Sequence, residues 1–187
     1  EDLGCVAGAT GNTLALAFPC ELDQWDRPVV GFINFCLDVS KSFVVGNEQD
    51  HEGEIRSMVQ LGSHEVGHVL GMAGGLVKYF RDFDTGLPRT QRPFELVETE
   101  CVDGSVRTEL STSSDSLSLG ITGSGARYYE VTTPRVAAVA RNQFNCPSLK
   151  GARLENQPTS ASSCFGGHLD ERYFFTELMG PIFGRFA

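Results

Sequence analysis

The run His64-Glu65-Val66-Gly67-His68 sets two imidazoles four residues apart, with a carboxylate directly after the first. On a helix, residues i and i+4 lie about 40° apart around the axis and one turn up, so both rings can reach one metal ion. Glu65 then projects beside them, where it can take a proton from water without being a ligand. This is the arrangement that zinc hydrolysis uses. A solvated helix can also carry two histidines and a glutamate, so the reading depends on the element around the motif.

That element reads as a helix over roughly Gly53 to Leu70. Ile55, Met58, Val59, Val66, Val69 and Leu70 recur at helical spacing and predict its core face. Gly71 and the pair Gly74-Gly75 are natural terminators. Gly62 and Gly67 inside it are each unfavourable by about 1 kcal/mol relative to alanine, which points to close packing or a functional constraint. Ahead of the helix, Leu14 to Cys20 and Val29 to Cys36 read as neighbouring strands of one sheet, joined by the polar turn Glu21 to Pro28. After it, 73–131 reads as a long excursion of loops and short strands. Thr133-Pro134 opens a second helix to about Asn145, with threonine as cap, proline at the first helical position, and Val136, Val139, Ala140 and Phe144 as its apolar stripe. A loop rich in Asn, Pro, Ser and Gly runs to Gly167, and the aromatic tail Tyr173 to Phe186 is expected to pack inward.

A catalytic zinc site usually takes three protein ligands and keeps one position open. The chain has four histidines, so His51 and His168 remain as candidates. His51 lies in the polar run Asn47 to Glu52 and reads as a solvated helix-entry residue, not a ligand. His168 follows Cys164-Phe165-Gly166-Gly167, and the need for a third ligand selects it.

With these residues in place, the sequence resembles a known family. His64 to Gly71 is similar to the opening of the metzincin signature H-E-x-x-H-x-x-G-x-x-H, but Gly74 stands where the last histidine should be. In leishmanolysin-like metzincins an insertion separates that glycine from the third histidine, which comes in a Gly-Ser-His-like segment followed by Glu-Leu-Met before a small residue and proline. This chain has Gly166-Gly167-His168 and then Glu177-Leu178-Met179-Gly180-Pro181. Arg27 to Cys36 resembles the family's strand before the catalytic helix, and Val136 to Leu154 resembles the helix and cysteine upstream of the third histidine. The likeness runs from about Leu14 to Pro181 and is weakest over 73–131.

The resemblance implies an α+β fold with a metzincin-type zincin core. Residues 1–73 would form an upper lobe with a mixed sheet and the active-site helix. Residues 74–187 would form a loop-rich lower lobe with one further helix, the third ligand and a Met-turn at Met179. It implies one zinc ion on His64, His68 and His168, with Glu65 as general base and acid for peptide hydrolysis. It implies an endopeptidase, and protein or peptide substrates extended along a sheet edge, for which Leu14 to Phe18 is the candidate. It also implies a disulfide between Cys5 and Cys20, and a longer precursor with a signal and a pro-segment. A zinc hydrolase of non-peptide amides or esters, and an adhesion module with little turnover, are the alternatives. The intact Glu65 and ligand set disfavour the adhesion module.

Composition agrees with an ordinary globular chain: of 187 residues, 41% are hydrophobic and 21% charged. The net charge of −9, with no basic stripe, argues against nucleic acid as a partner. No apolar run is long enough for a transmembrane helix. Six dispersed cysteines, at 5, 20, 36, 101, 146 and 164, form no C-x-x-C pair and fit disulfides in an oxidising compartment. An extracellular or cell-surface location is expected, and so is a monomeric state.

Overall fold

The computed structural model describes residues 7–8, 11–36, 51–156, 164–175 and 177–181. The fold is α+β, and the chain divides into two compact units, one running to Gly71 and the other spanning Met72–Ile182.

In the first unit, β1 (Ala7–Gly8) pairs with β2 (Gly11–Asn12), and β3 (Ala15–Leu22) pairs antiparallel with β4 (Pro28–Phe35). The turn between β3 and β4 is closed by Asp23. Its carboxylate accepts from the backbone N–H of Trp25 and Arg27 and from the Arg27 guanidinium. These bonds hold the Asp23 carboxyl below its usual range, the Arg27 side chain contributing most. Helix α1 (His51–Val69) follows and packs against both strands. It ends where Gly71 takes φ +96° and donates to the His68 carbonyl, a conformation that favours glycine.

The expected core face of α1 is corrected by its packing. Ile55, Met58, Val59, Val66 and Leu70 are all exposed, Val59 to 61%. Leu61, His64, Glu65 and Gly67 are the buried positions. At 100° per residue Val59 stands roughly 140° around the axis from His64. Val69, the remaining predicted position, is half-buried against Gly31 of β4, but burial of the others requires a covering element, and none of the described residues supplies one.

The second unit begins with a 3-10 helix, Gly74–Tyr79. Two hairpins follow: β5 (Leu96–Glu100) with β6 (Val106–Leu110), and β7 (Leu117–Ile121) with β8 (Arg127–Val131). Helix α2 (Pro134–Gln143) leads to β9 (Ala152–Arg153), which completes a three-stranded sheet in the order β7-β8-β9. Proline occupies the start of α2 as expected, but Thr133 makes no side-chain cap bond. Within the expected stripe of α2, Ala140 is buried and Val139 is exposed.

Val77, Leu117, Tyr129, Val131, Leu154 and Phe165 form the core of this unit around the Cys101–Cys164 disulfide. Tyr129 meets Phe165 edge to face at 4.6 Å and donates its hydroxyl to the Glu100 carbonyl at 2.8 Å. Burial, with Glu100 nearby, pushes the Tyr129 phenol up. Of the tail, Phe174 is buried while Tyr173 and Phe175 are exposed.

The cysteines correct a second expectation. Cys20 is a free, exposed thiol, so it does not pair with Cys5. Cys36 is disulfide-bonded, to a partner outside the described residues. Cys20 lies on β3, where closing a strand in sequence says nothing about which thiol its side chain meets. Pairing is decided by tertiary approach.

Candidate metal and catalytic site

Helix α1 turns the His64–His68 spacing into geometry. The Nε2 atoms of His64 and His68 lie 3.0 Å apart, with the rings edge to face at 4.6 Å. Two nitrogens on one tetrahedral zinc, each about 2.05 Å from the ion, are about 3.3 Å apart. The pair therefore fits a shared metal ion without rearrangement of the helix. His64 is 3% exposed and Glu65 is 4% exposed. A buried carboxylate next to a converging histidine pair is unlike the solvated helix glutamate of the bland alternative. The first unit thus brings His64, Glu65 and His68 together. The His51 side chain lies outside what is described.

His168 stands in the second unit, and the sheet places it. Leu154 donates to the Tyr129 carbonyl on one side and bridges antiparallel to Leu169 on the other. The N–H of Glu155 donates to the carbonyl of His168 at 3.0 Å, and that of Asp170 to the Arg153 carbonyl at 3.0 Å. The segment around His168 is thereby laid along β9 as an additional rung. Upstream, Gly74 donates to the Gly166 carbonyl at 3.3 Å, tying the 3-10 helix to the same segment. Next to it, Asp170 is 1% exposed and holds the Arg172 guanidinium at 2.6 Å.

Met179 is buried, and its carbonyl accepts from the N–H of Leu169 at 2.8 Å. The expected Met-turn residue is therefore anchored one residue from His168. A cavity of about 320 Å³ opens here, lined by His168, Met179 and apolar side chains including Val77, Val136, Val139 and Leu154. Val139, though exposed, lines this cavity.

One residue escaped the sequence reading. Glu155 is 2% exposed, and its Oε1 lies 2.8 Å from Nδ1 of His168. Thirteen positions separate them, and neither spacing nor periodicity links the two. The only local sign is a carboxylate directly after the short run Ala152-Arg153-Leu154.

The family model described as leishmanolysin matches residues 5–186. The chain is 31% identical over 190 residues to a leishmanolysin-like peptidase of Caenorhabditis elegans, covering 93% of this chain and 26% of that protein. It is 29% identical over 188 residues to a leishmanolysin-like peptidase of Drosophila pseudoobscura pseudoobscura, covering 94% of this chain and 26% of that protein. A ciliated left-right organizer metallopeptidase of Mus musculus is 27% identical over 173 residues, which is 92% of this chain and 20% of that protein. The chain thus spans about a quarter of the length of the first two of these relatives, 26% in each case. No helix among the described residues is long and apolar enough to cross a membrane. With a family match running from Cys5 to Phe186, the chain belongs to the leishmanolysin peptidase family.

Proposed function

We propose that this chain is the catalytic part of a zinc-dependent endopeptidase that cleaves extracellular or cell-surface proteins, with a metzincin-type division into an upper lobe, 1–73, and a lower lobe, 74–187. The observation that carries the reading is the convergence of His64 and His68 on one helix face, Nε2 to Nε2 at 3.0 Å, beside the buried Glu65. Family membership supports peptide substrates.

His64, His68 and His168 hold one zinc ion, which when bound supplies Lewis acidity to the scissile carbonyl and to water. Glu65 takes the proton from the attacking water and passes it to the leaving amine. Its burial beside the histidine pair keeps bulk water from competing for that proton. The apolar cavity at His168 receives one apolar side chain of the substrate, since its lining offers mainly aliphatic and thioether surface. The substrate main chain adds to the sheet along β3, the segment Leu14 to Phe18, whose partner in the described sheet is β4 alone.

Glu65→Ala decides between this reading and a structural role for the motif. Zinc content should stay at one per chain, while hydrolysis of a casein-type substrate falls by about 10²–10⁴-fold. Zinc retained with near-normal turnover would remove Glu65 as the base. Zinc lost would make it a ligand or a prop. A panel of simple amides and esters, run on the same preparations, separates a peptidase from a general hydrolase.

A further inference from the structure

The contacts of Glu155 are unusual for a loop glutamate. Its Oε1 accepts from the backbone N–H of Gly167 at 2.9 Å and of His168 at 3.2 Å, and meets Nδ1 of His168 at 2.8 Å. The backbone N–H of Glu155 returns a bond to the His168 carbonyl at 3.0 Å. The approach is so close that a Cβ on Gly166 would stand 2.3 Å from the Glu155 carbonyl oxygen and 2.5 Å from its Cγ. Only glycine fits there.

A carboxylate that merely clips a loop needs the two backbone donors and nothing more. The third contact is to a ring nitrogen. A neutral imidazole facing an ionised carboxylate must donate to it, which places the proton on Nδ1 and leaves Nε2 as the nitrogen with a lone pair. We propose that Glu155 is a positioning residue for His168, fixing its tautomer and ring direction so that Nε2 is presented to a metal ion. This inference rests on reading His168 as the third zinc ligand. Outer partners of ligating histidines commonly orient the ring in this way. Fixed backbone and fixed ring direction both come from one buried oxygen.

The test uses the whole chain and zinc alone, read by chelator competition and by nitrogen-15 NMR of the histidine rings. In the metal-free wild type, His168 should be the Nδ1-protonated tautomer. Glu155→Leu should weaken zinc binding by about 10–100-fold and shift His168 toward the Nε2-protonated tautomer. Glu155→Gln keeps an acceptor oxygen without the charge. It should hold the tautomer and lose at least about threefold in zinc affinity. A Glu155→Leu protein with zinc affinity within twofold of wild type and an unchanged ring spectrum overturns the inference. If that variant does not fold by circular dichroism, the metal-free wild type decides, and His168 found there as the Nε2-protonated tautomer overturns the inference. His168→Ala separates the two levels. Undiminished zinc affinity in that variant would sink the third-ligand reading itself, whereas affinity lost in His168→Ala but kept in Glu155→Leu would sink only the role of Glu155.

Discussion

The two units hold their chemical residues by different means. In the first, the histidine pair rides on a long helix, and Leu61 is the one fully buried apolar side chain described before Met72. The rigidity of the pair comes from helix geometry itself, because residues four apart share a face whatever else the helix touches. In the second, His168 sits in an irregular segment with no periodic geometry to fix it. There the fixing is tertiary: a disulfide from Cys101 to Cys164, a core of buried aromatic and aliphatic side chains, a rung along β9, and the Glu155 carboxylate. A ligand from a helix can be placed cheaply, whereas a ligand from a loop needs a scaffold built around it.

This difference can be broken most severely at the disulfide. The Cys101–Cys164 bond spans 63 residues of sequence. By the loop-entropy model, closing such a loop contributes about 4 kcal/mol. The double variant Cys101→Ala, Cys164→Ala should therefore lose most of the stability of the second unit in urea, and with it the order of the segment leading to His168. A loss below about 1 kcal/mol would mean that the core alone holds that segment.

Leu154→Ala comes next. Leu154 is 4% exposed, belongs to the core and bridges to Leu169. Truncation of such a side chain costs about 2–5 kcal/mol, part transfer and part cavity. Zinc affinity should fall with it, since the rung that carries His168 is attached at this residue. Unchanged affinity in a destabilised protein would show that Glu155 and the disulfide suffice to place the ring.

The same contrast explains what could be read in the sequence. His64, Glu65 and His68 were legible because their relation is local, and the strands Ala15–Leu22 and Pro28–Phe35 because short apolar runs and turn residues are local too. The start of α2 at Pro134 was legible for the same reason. Legibility failed wherever the decisive neighbour was far along the chain. Ile55, Val59 and Val66 form a true stripe, yet a stripe does not name its cover. Cys20 looked like a partner for Cys5 by resemblance to the family, yet its thiol is free. Glu155 reaches His168 only because β9 and the segment after Gly166 run side by side. His168 itself was singled out by the demand for a third ligand and by family likeness, not by any spacing from His64.

A smaller effect tests the thiols. Cys20 and Cys146 should react with iodoacetamide in the folded, unreduced protein, while Cys101 and Cys164 should not. The Ser148 side chain beside Cys146, with the backbone N–H groups that follow, holds its thiol below the usual range. Its alkylation should accordingly persist to lower pH than that of an ordinary thiol. Cys20→Ser should change stability by no more than about 0.5 kcal/mol, as expected of an exposed position without a partner. Peptide mapping that finds Cys20 oxidised would restore the pairing that the structure rejects.

The smallest expected effect sharpens the comparison from the side of the helix. Val59 is 61% exposed in the middle of the apolar stripe of α1, on the face away from His64 and His68. Val59→Ser removes two methyl groups from a surface that solvent already reaches, and valine and serine have similar helix propensities. The change should therefore be worth no more than about 0.5 kcal/mol in this chain, with zinc affinity unaltered. The size of the effect reports on cover, because burying a valine fully is worth about 1.5–3 kcal/mol while leaving it in water is worth almost nothing. A loss well above 1 kcal/mol would mean that the stripe is packed against something, and that helix geometry alone does not hold the histidine pair. A near-zero loss with full zinc affinity would leave the pair as the self-sufficient half of the site, and place the cost of assembling it on the unit that carries His168.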